Sequence, residues 1–511
     1  MIGVEAQSAS GLQRPYNHLK RLFHEIGLLR SISGTLNWDA AVNLPPGGRR
    51  LRSDQLALID AAIYDRLSAN RTRDLLAAAL EMAASLERLD RINLDLMGRE
   101  IGHVTAVPKG LSSALVRAQA DCEGVWAAAK PESDFAAVAP LAAEVLNLTR
   151  QVSVAKSRRL GLSPQEALID YWDPGTSLRD FAGLFAPLKA RLPEFIDRIE
   201  RLQSPDRCPI MPAMPAAIQL EVCSRLARDL GYDFDHGRID QSAQAFFVDD
   251  CPEDVRITTR PDPDDYRSAV FGILHEIGHS FYERALPRDW LYQPIGRPAS
   301  AGMQESQSLL FEKLIGRHPA FLAMIAGQMK SATGDPGPSP EHVSQHLRRV
   351  ERTPIRTDAD EVTYPLHVII RCELEAELVS GALDFTDLPS AWHEAYRDLL
   401  GVTPKSDREG CLQDIHWYRG LYGYFQSYVL GSLISAQLLE AARSSSPEID
   451  AGLSRTDLSS LRSWLQSNIY CHGRAYSALQ LVTTATGKPL SVEPLMRHYE
   501  QRYVARPHGA H

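Results

Sequence analysis

The sequence has no long apolar run. No stretch of roughly eighteen apolar residues occurs, so a membrane-spanning helix is not expected. It has no basic excess either. The 55 Lys and Arg stand against 64 Asp and Glu, a formal net charge of -9. Nucleic-acid binders normally show the opposite balance, so that class of partner is not expected. Cysteine never occurs as a C-x-x-C pair. The seven are Cys122, Cys208, Cys223, Cys251, Cys372, Cys411 and Cys471, an odd and scattered set. Such a set reads as reduced thiols in a reducing compartment. The stretch MIGVEAQSASGLQRPYNHLKRLF lacks the apolar core of a secretory signal. Together these absences read as a cytoplasmic protein with neither membrane nor nucleic acid as partner.

What is present is helical. The chain has 511 residues, 44% apolar and 23% charged, ordinary values for a soluble globular protein. Apolar residues recur every three or four positions in 54–94, 112–161, 217–230, 305–316, 361–383 and 420–443, the period of a helix face. Strand signals are few. The clearest is DVRITTR, 254–260, where Val255, Ile257 and Thr259 alternate with Arg256 and Thr258. Turn-rich breaks fall at 43–50, 203–215, 260–265 and 333–340, and no fixed-period repeat is visible. The expected architecture is mainly α, one large helical body over 1–511 with a small β-sheet near the middle. A helical portion of about 1–200 flanks the remainder of about 201–511.

The stretch FGILHEIGHSFYERAL, 271–286, carries His-Glu-x-x-His. On a helix, positions i and i+4 share a face, so His275 and His279 can hold one ion with two imidazoles. Glu276 sits about 100° further round, where it can act as a general base without being a ligand. Acidic residues in RPDPDD and Pro287 beyond the far end support the helix, which weighs against a chance match. A catalytic metal needs a third protein ligand and an open position. A further His six residues on is missing, because position 285 is Ala. The next amphipathic stretch, GMQESQSLLFEKLIG (302–316), offers Glu305 and, seven residues on, Glu312. Glu305 alone reads equally as a helix-start carboxylate.

Several ordered segments are together more specific than the motif. LNWDAAVNLPPGGRRLRSDQLALI, DVRITTR, HEIGH, QESQS, IRTDADEVTYPLHVIIRCELE, GCLQDIHW and YGYFQSYVLGSLISAQL follow one another along the chain. In this order the chain resembles the thermostable carboxypeptidase Taq family of metallopeptidases, nearly end to end. The resemblance implies a mainly α fold with a small sheet beside a deep groove, and a homodimer. It implies removal of the C-terminal residue from peptides using zinc, with cobalt as a substitute. It maps the ligands onto His275, His279 and Glu305, and the base onto Glu276. A carboxypeptidase substrate ends in a free carboxylate, which suits an arginine fork. Arg356 is the first choice for that contact, with Tyr428 sharing it and Arg419 as an outside candidate. Without the resemblance, Arg356 reads as the partner of Asp358, Asp360 or Glu361. Tyr424, Tyr428 and His416 are candidate donors to a developing oxyanion. Asp414 reads as a groove residue or as an orienting carboxylate. Arg256 and Thr258 read either as lining the groove, where an extended peptide could add, or equally as solvent-facing strand residues. His367 and Arg371 read as structural or supporting, Trp417 as packing, and Asp249–Asp250 as a solvated loop.

Three positions depart from the family pattern. Gln304 replaces a His before Glu-Ser. Gln244-Ala245-Phe246 replaces His-Pro-Phe. GYFQSY (423–428) replaces Gly-Tyr-Phe-Pro-Thr-Tyr, putting Gln426 in the Pro position. The ligands and base survive, so the departures bear on substrate and rate more than on reaction type. They leave open a dedicated amide hydrolase that trims one amino acid from a small conjugate. A homologue kept as a non-catalytic binding module is the remaining alternative, and the retained Glu276 argues against it.

Overall fold

The computed structural model describes residues 14–203, 213–333 and 339–505. The breaks expected at 203–215 and 333–340, the N-terminal stretch and Cys208 fall wholly or partly outside these residues. Helices dominate, and the only sheet among the described residues pairs β1 (Ile239–Gln241) with β2 (Ile257–Thr259) in parallel. The strand is therefore shorter than the alternation in 254–260 suggested. Val255, Ile257, Thr258 and Thr259 are all buried, so neither face is wet. The Thr258 hydroxyl accepts from the Phe246 N–H (3.0 Å) and bonds the Ser242 hydroxyl (2.7 Å). Thr258 thus does not line a groove. No described helix is long and apolar enough to cross a membrane. The six described cysteines are free thiols.

The apolar stripes sort the helices into two cores. Tyr16, Leu19, Phe23, Ile26, Leu67, Leu76, Leu94, Met97 and Ile101 form one. They come from helices Arg14–Val42, Arg49–Ser68, Asn70–Glu81 and Arg88–Thr105. Everything from helix Lys109–Glu132 onward feeds a second, much larger core. The packing therefore divides near residue 107, not near 200. Helices Phe135–Leu160 and Leu178–Leu202 belong with the motif-bearing body because their Val, Leu and Phe stripes pack into it.

A seam joins the two cores. Trp38 packs on Val248 and Cys251, and the Arg256 guanidinium lies 4.3 Å from the Trp38 ring centre while pairing with Asp254 at 2.7 Å. Arg256 is thus spent on the seam rather than on a peptide groove. Gln293 bonds Asn93 (3.2 Å) and the Lys20 carbonyl (2.9 Å) across the same boundary. Asp250 is not simply solvated: its carboxylate stands 3.2 Å from Arg297 Nε, and its backbone takes a left-handed φ of 55°.

Candidate metal centre

The motif helix runs Tyr266–Ala285. The Asp265 side chain caps it by accepting from the Arg267 N–H at 3.0 Å, and the chain leaves it before Pro287. Most of its residues are buried, as expected of a helix that passes through a core. The next helix, Ala301–Leu309, starts where the Ser300 hydroxyl accepts from the Met303 N–H (3.0 Å). It crosses the motif helix at backbone contact. A Cβ on Gly278 would stand 2.4 Å from the Gln307 carbonyl oxygen, so only glycine fits. On the opposite side, a Cβ on Gly431 would meet the Glu305 side chain at 2.7 Å. Gly431 lies on helix Gln426–Ser445.

This packing brings the ligand atoms together. The Nε2 atoms of His275 and His279 lie 3.2 Å apart, and Glu305 Oε2 is 3.8 and 3.7 Å from them. All three donors fall within 4.8 Å of one another, the only such cluster found among the described residues. Ligands about 2.1 Å from a tetrahedral cation stand roughly 3.4 Å apart, so the set fits a zinc-class ion. Glu276 is buried in the same wall, and its Oε2 has no hydrogen-bond partner. That orphaned oxygen beside the donor set fits a site built for a cation with its water. Burial pushes Glu276 up to about 8, with Glu305 and Glu312 adding to it and His275 opposing. For His275 burial favours the neutral form, but Glu305 and Glu312 outweigh it and raise the group to about 9.

Glu312 is not a ligand in this geometry. After Leu309 the helix widens into a π-helical stretch, Leu310–Ile315, closed by the Gly316 N–H on the Phe311 carbonyl at 2.8 Å. The widened turn places Glu312 Oε2 2.9 Å from His275 Nδ1, where it fixes the tautomer that leaves Nε2 for a metal. Phe247 was not foreseen. Its ring stacks on His279 with centres 4.4 Å apart. Gln304 is buried with both amide atoms unpartnered, immediately before Glu305.

A second cluster adjoins the first. Arg356, nine-tenths buried, donates from Nε (3.0 Å) and Nη2 (2.7 Å) to Asp414 Oδ1 and from Nη1 to the Tyr364 hydroxyl (3.2 Å). Its partner is therefore Asp414, not Asp358, Asp360 or Glu361. Asp414 Oδ2 accepts from Arg371 Nε at 2.6 Å. With an arginine on each oxygen, Asp414 holds Arg356 and Arg371 in place. Three of the five guanidinium N–H groups of Arg356 are used, which leaves one on each terminal nitrogen. The guanidinium stacks on Tyr428, 5.1 Å from the ring centre. The Tyr428 hydroxyl lies 3.2 Å from His416 Nε2, and Tyr424 packs edge-on to Tyr428 at 5.3 Å. Burial drives His416 down to about 3, so it is neutral, and keeps the Tyr424 and Tyr428 phenols protonated. Gly431, which abuts Glu305, and Tyr428, which lies under Arg356, are three residues apart on helix Gln426–Ser445, so the two clusters adjoin. Arg419 is elsewhere, half exposed and 2.8 Å from Glu123. His367 bonds the Tyr396 hydroxyl (2.9 Å), and Trp417 donates to Glu375 (2.8 Å) while packing, as supporting residues.

Two imidazoles one turn apart, a carboxylate from the following helix and a free acidic neighbour define a metallohydrolase centre on a helical body. The chain belongs to the carboxypeptidase Taq (M32) metallopeptidase family, whose model matches residues 18–503. It is 32% identical to thermostable carboxypeptidase 1 of Thermus thermophilus over 96% of this chain and 98% of that one. Carboxypeptidase 1 of Bacillus subtilis is 31% identical over 96% and 97%. Among solved structures, metallocarboxypeptidase 1 of Trypanosoma cruzi superposes with a TM-score of 0.92 at 31% identity, covering 96% of this chain and 100% of that one. The M32 carboxypeptidase of Deinococcus radiodurans gives 0.89 at 33% identity, with 96% and 99% covered. The protein is a hydrolase of the metallocarboxypeptidase class, and its metal is a divalent cation.

Proposed function

We propose that this protein removes the C-terminal residue of peptides, with a zinc-class cation held by His275, His279 and Glu305. When bound, such a cation supplies Lewis acidity and a water acidified toward neutrality. Glu276 takes the proton from the attacking water and delivers it to the departing amine. Its burial favours holding the proton it takes. Glu312 keeps His275 in the ligating tautomer. The Tyr424 and Tyr428 phenols remain protonated and donate to the oxygen on which charge develops. Arg356 offers its two remaining N–H groups, one on each terminal nitrogen, to the two oxygens of a terminal carboxylate. Asp414 and Arg371 hold it in place.

The observation that carries this reading is the pairing of a metal-ready His-His-Glu cluster with a buried arginine whose outer edge is unspent. The test is a set of short peptides with free or amidated C-termini, read by mass spectrometry of the products with metal content measured in parallel. Stepwise loss of terminal residues from the free acids, with the amides left intact, is the expected result. Equal cleavage of both forms would remove Arg356 from its role.

A further inference from the structure

The loop that carries the phenols has a support the reaction above does not use. Glu375 lies on helix Tyr364–Ser380 and is 1% exposed. No neighbouring charge contributes to its titration, which burial alone drives up to about 7 against its donors. A buried carboxylate is costly unless donors surround it. Glu375 has two within hydrogen-bond distance. Trp417 Nε1 donates to Oε2 at 2.8 Å and the Gly423 N–H donates to Oε1 at 2.7 Å, and the nearby Gln426 side chain also favours the charged form.

Gly423 and Gln426 adjoin the phenols in the chain. Gly423 has a left-handed φ of 78°, and a Cβ there would stand 2.6 Å from the Leu168 carbonyl carbon. Only glycine can thread between that backbone and Glu375. Tyr424 follows directly, its ring edge-on to Trp172 at 4.8 Å. Gln426 opens helix Gln426–Ser445, which carries Tyr428 two residues later. Gln426 also occupies the position where the family pattern has Pro. A Pro suits the first position of a helix but has no donor to offer.

We infer that Glu375 is a positioning residue. By holding Trp417 and Gly423, it sets where Tyr424 and Tyr428 present their hydroxyls to the substrate. The inference rests on the reading of those phenols as substrate donors.

The test compares Glu375→Gln, Gln426→Pro, Tyr424→Phe and the Glu375→Gln/Tyr424→Phe double variant on an N-blocked dipeptide with a free C-terminus. Metal content and peptide-level hydrogen exchange are followed alongside. Glu375→Gln replaces an acceptor by an NH₂ facing a donor, and should lower kcat by about 10–100-fold with KM within about threefold. Metal content should hold, and exchange in 420–425 should accelerate while 266–285 is unchanged. Tyr424→Phe should cost clearly less in the Glu375→Gln background than alone, because both act on one donor. Gln426→Pro should give a smaller loss, a few-fold, with an intermediate gain in exchange. Multiplicative effects of the two substitutions, or unchanged loop exchange in Glu375→Gln, would overturn the inference. Should Glu375→Gln not fold, unchanged exchange in Trp417→Phe, which deletes the indole donor to Glu375, overturns it equally. A wild-type protein that releases no terminal residue defeats the peptidase reading instead, and the exchange measurements then decide the tie by themselves.

Discussion

The metal cluster and the arginine cluster adjoin but are assembled differently. The first comes from two successive helical segments, with His275, Glu276 and His279 on one and Glu305 and Glu312 on the next. The second is long-range: Arg356 and Arg371 meet at Asp414 from 58 and 43 positions away. The first is acidic and ready for a cation. The second stores positive charge for an anion. A carboxypeptidase needs both at once, since one end of the terminal residue is a carbonyl to be attacked and the other a carboxylate to be held.

The strongest way to separate the halves is Glu276→Gln. It should leave metal stoichiometry intact and lower kcat by about 10²–10⁴-fold, because it deletes the proton carrier alone. Full metal with undiminished turnover would move the base elsewhere. Asp414→Asn attacks the other half through stability. It strips the counter-charge from two buried arginines and should cost about 3–5 kcal/mol in chemical denaturation at pH 7. The pH dependence has a definite sign. Burial alone would raise the Asp414 carboxyl, but Arg356 and Arg371 hold it well below the usual range. A carboxyl depressed in the folded state stabilises fully at neutral pH. Its contribution fades as pH falls from about 5 through its unfolded value of about 3.9 toward the folded one. The gap between wild type and Asp414→Asn should therefore narrow on acidification, and a gap that widens would contradict the assignment.

Arg356→Lys keeps the charge and loses the fork. KM for free-acid peptides should rise about 10–100-fold, with kcat less affected. An unchanged preference for free acids over amides would mean that another group reads the terminus. Glu312→Gln should weaken metal binding by about 10–100-fold in a chelator competition, a test of the metal half that needs no substrate. The smallest effect on turnover is expected at the seam. Arg256→Ala should cost about 1–2 kcal/mol through its half-buried Asp254 pair and its Trp38 stack, and leave kcat/KM within about twofold.

The difference in assembly explains what could be read before folding. His275, Glu276 and His279 were legible because helix spacing alone puts them on one wall. Glu305 and Glu312 were not separable that way. Their roles depend on a widened turn, and a seven-residue interval read on a regular helix puts both on one face. Arg356 was nominated, but its partner was assigned to its acidic neighbours in sequence, because nothing local points to Asp414. The packing boundary near 107 was hidden for a related reason: helices on either side carry similar stripes, and only the fold tells which core a stripe enters. Arg256 and Thr258 looked like a groove wall because alternation in a short strand does not reveal a second buried face.

Two hydrogens decide the bite of this chelate. Where Gly278 and Gly431 lack a methyl group, three helices touch main chain to main chain or main chain to ligand. The donor spacing is thereby cast in rigid scaffold rather than in swinging side chains. Alanine at either site would pry the jaws open by a fraction of an ångström, and the price would appear as a leakier grip on the ion long before the body itself unravelled.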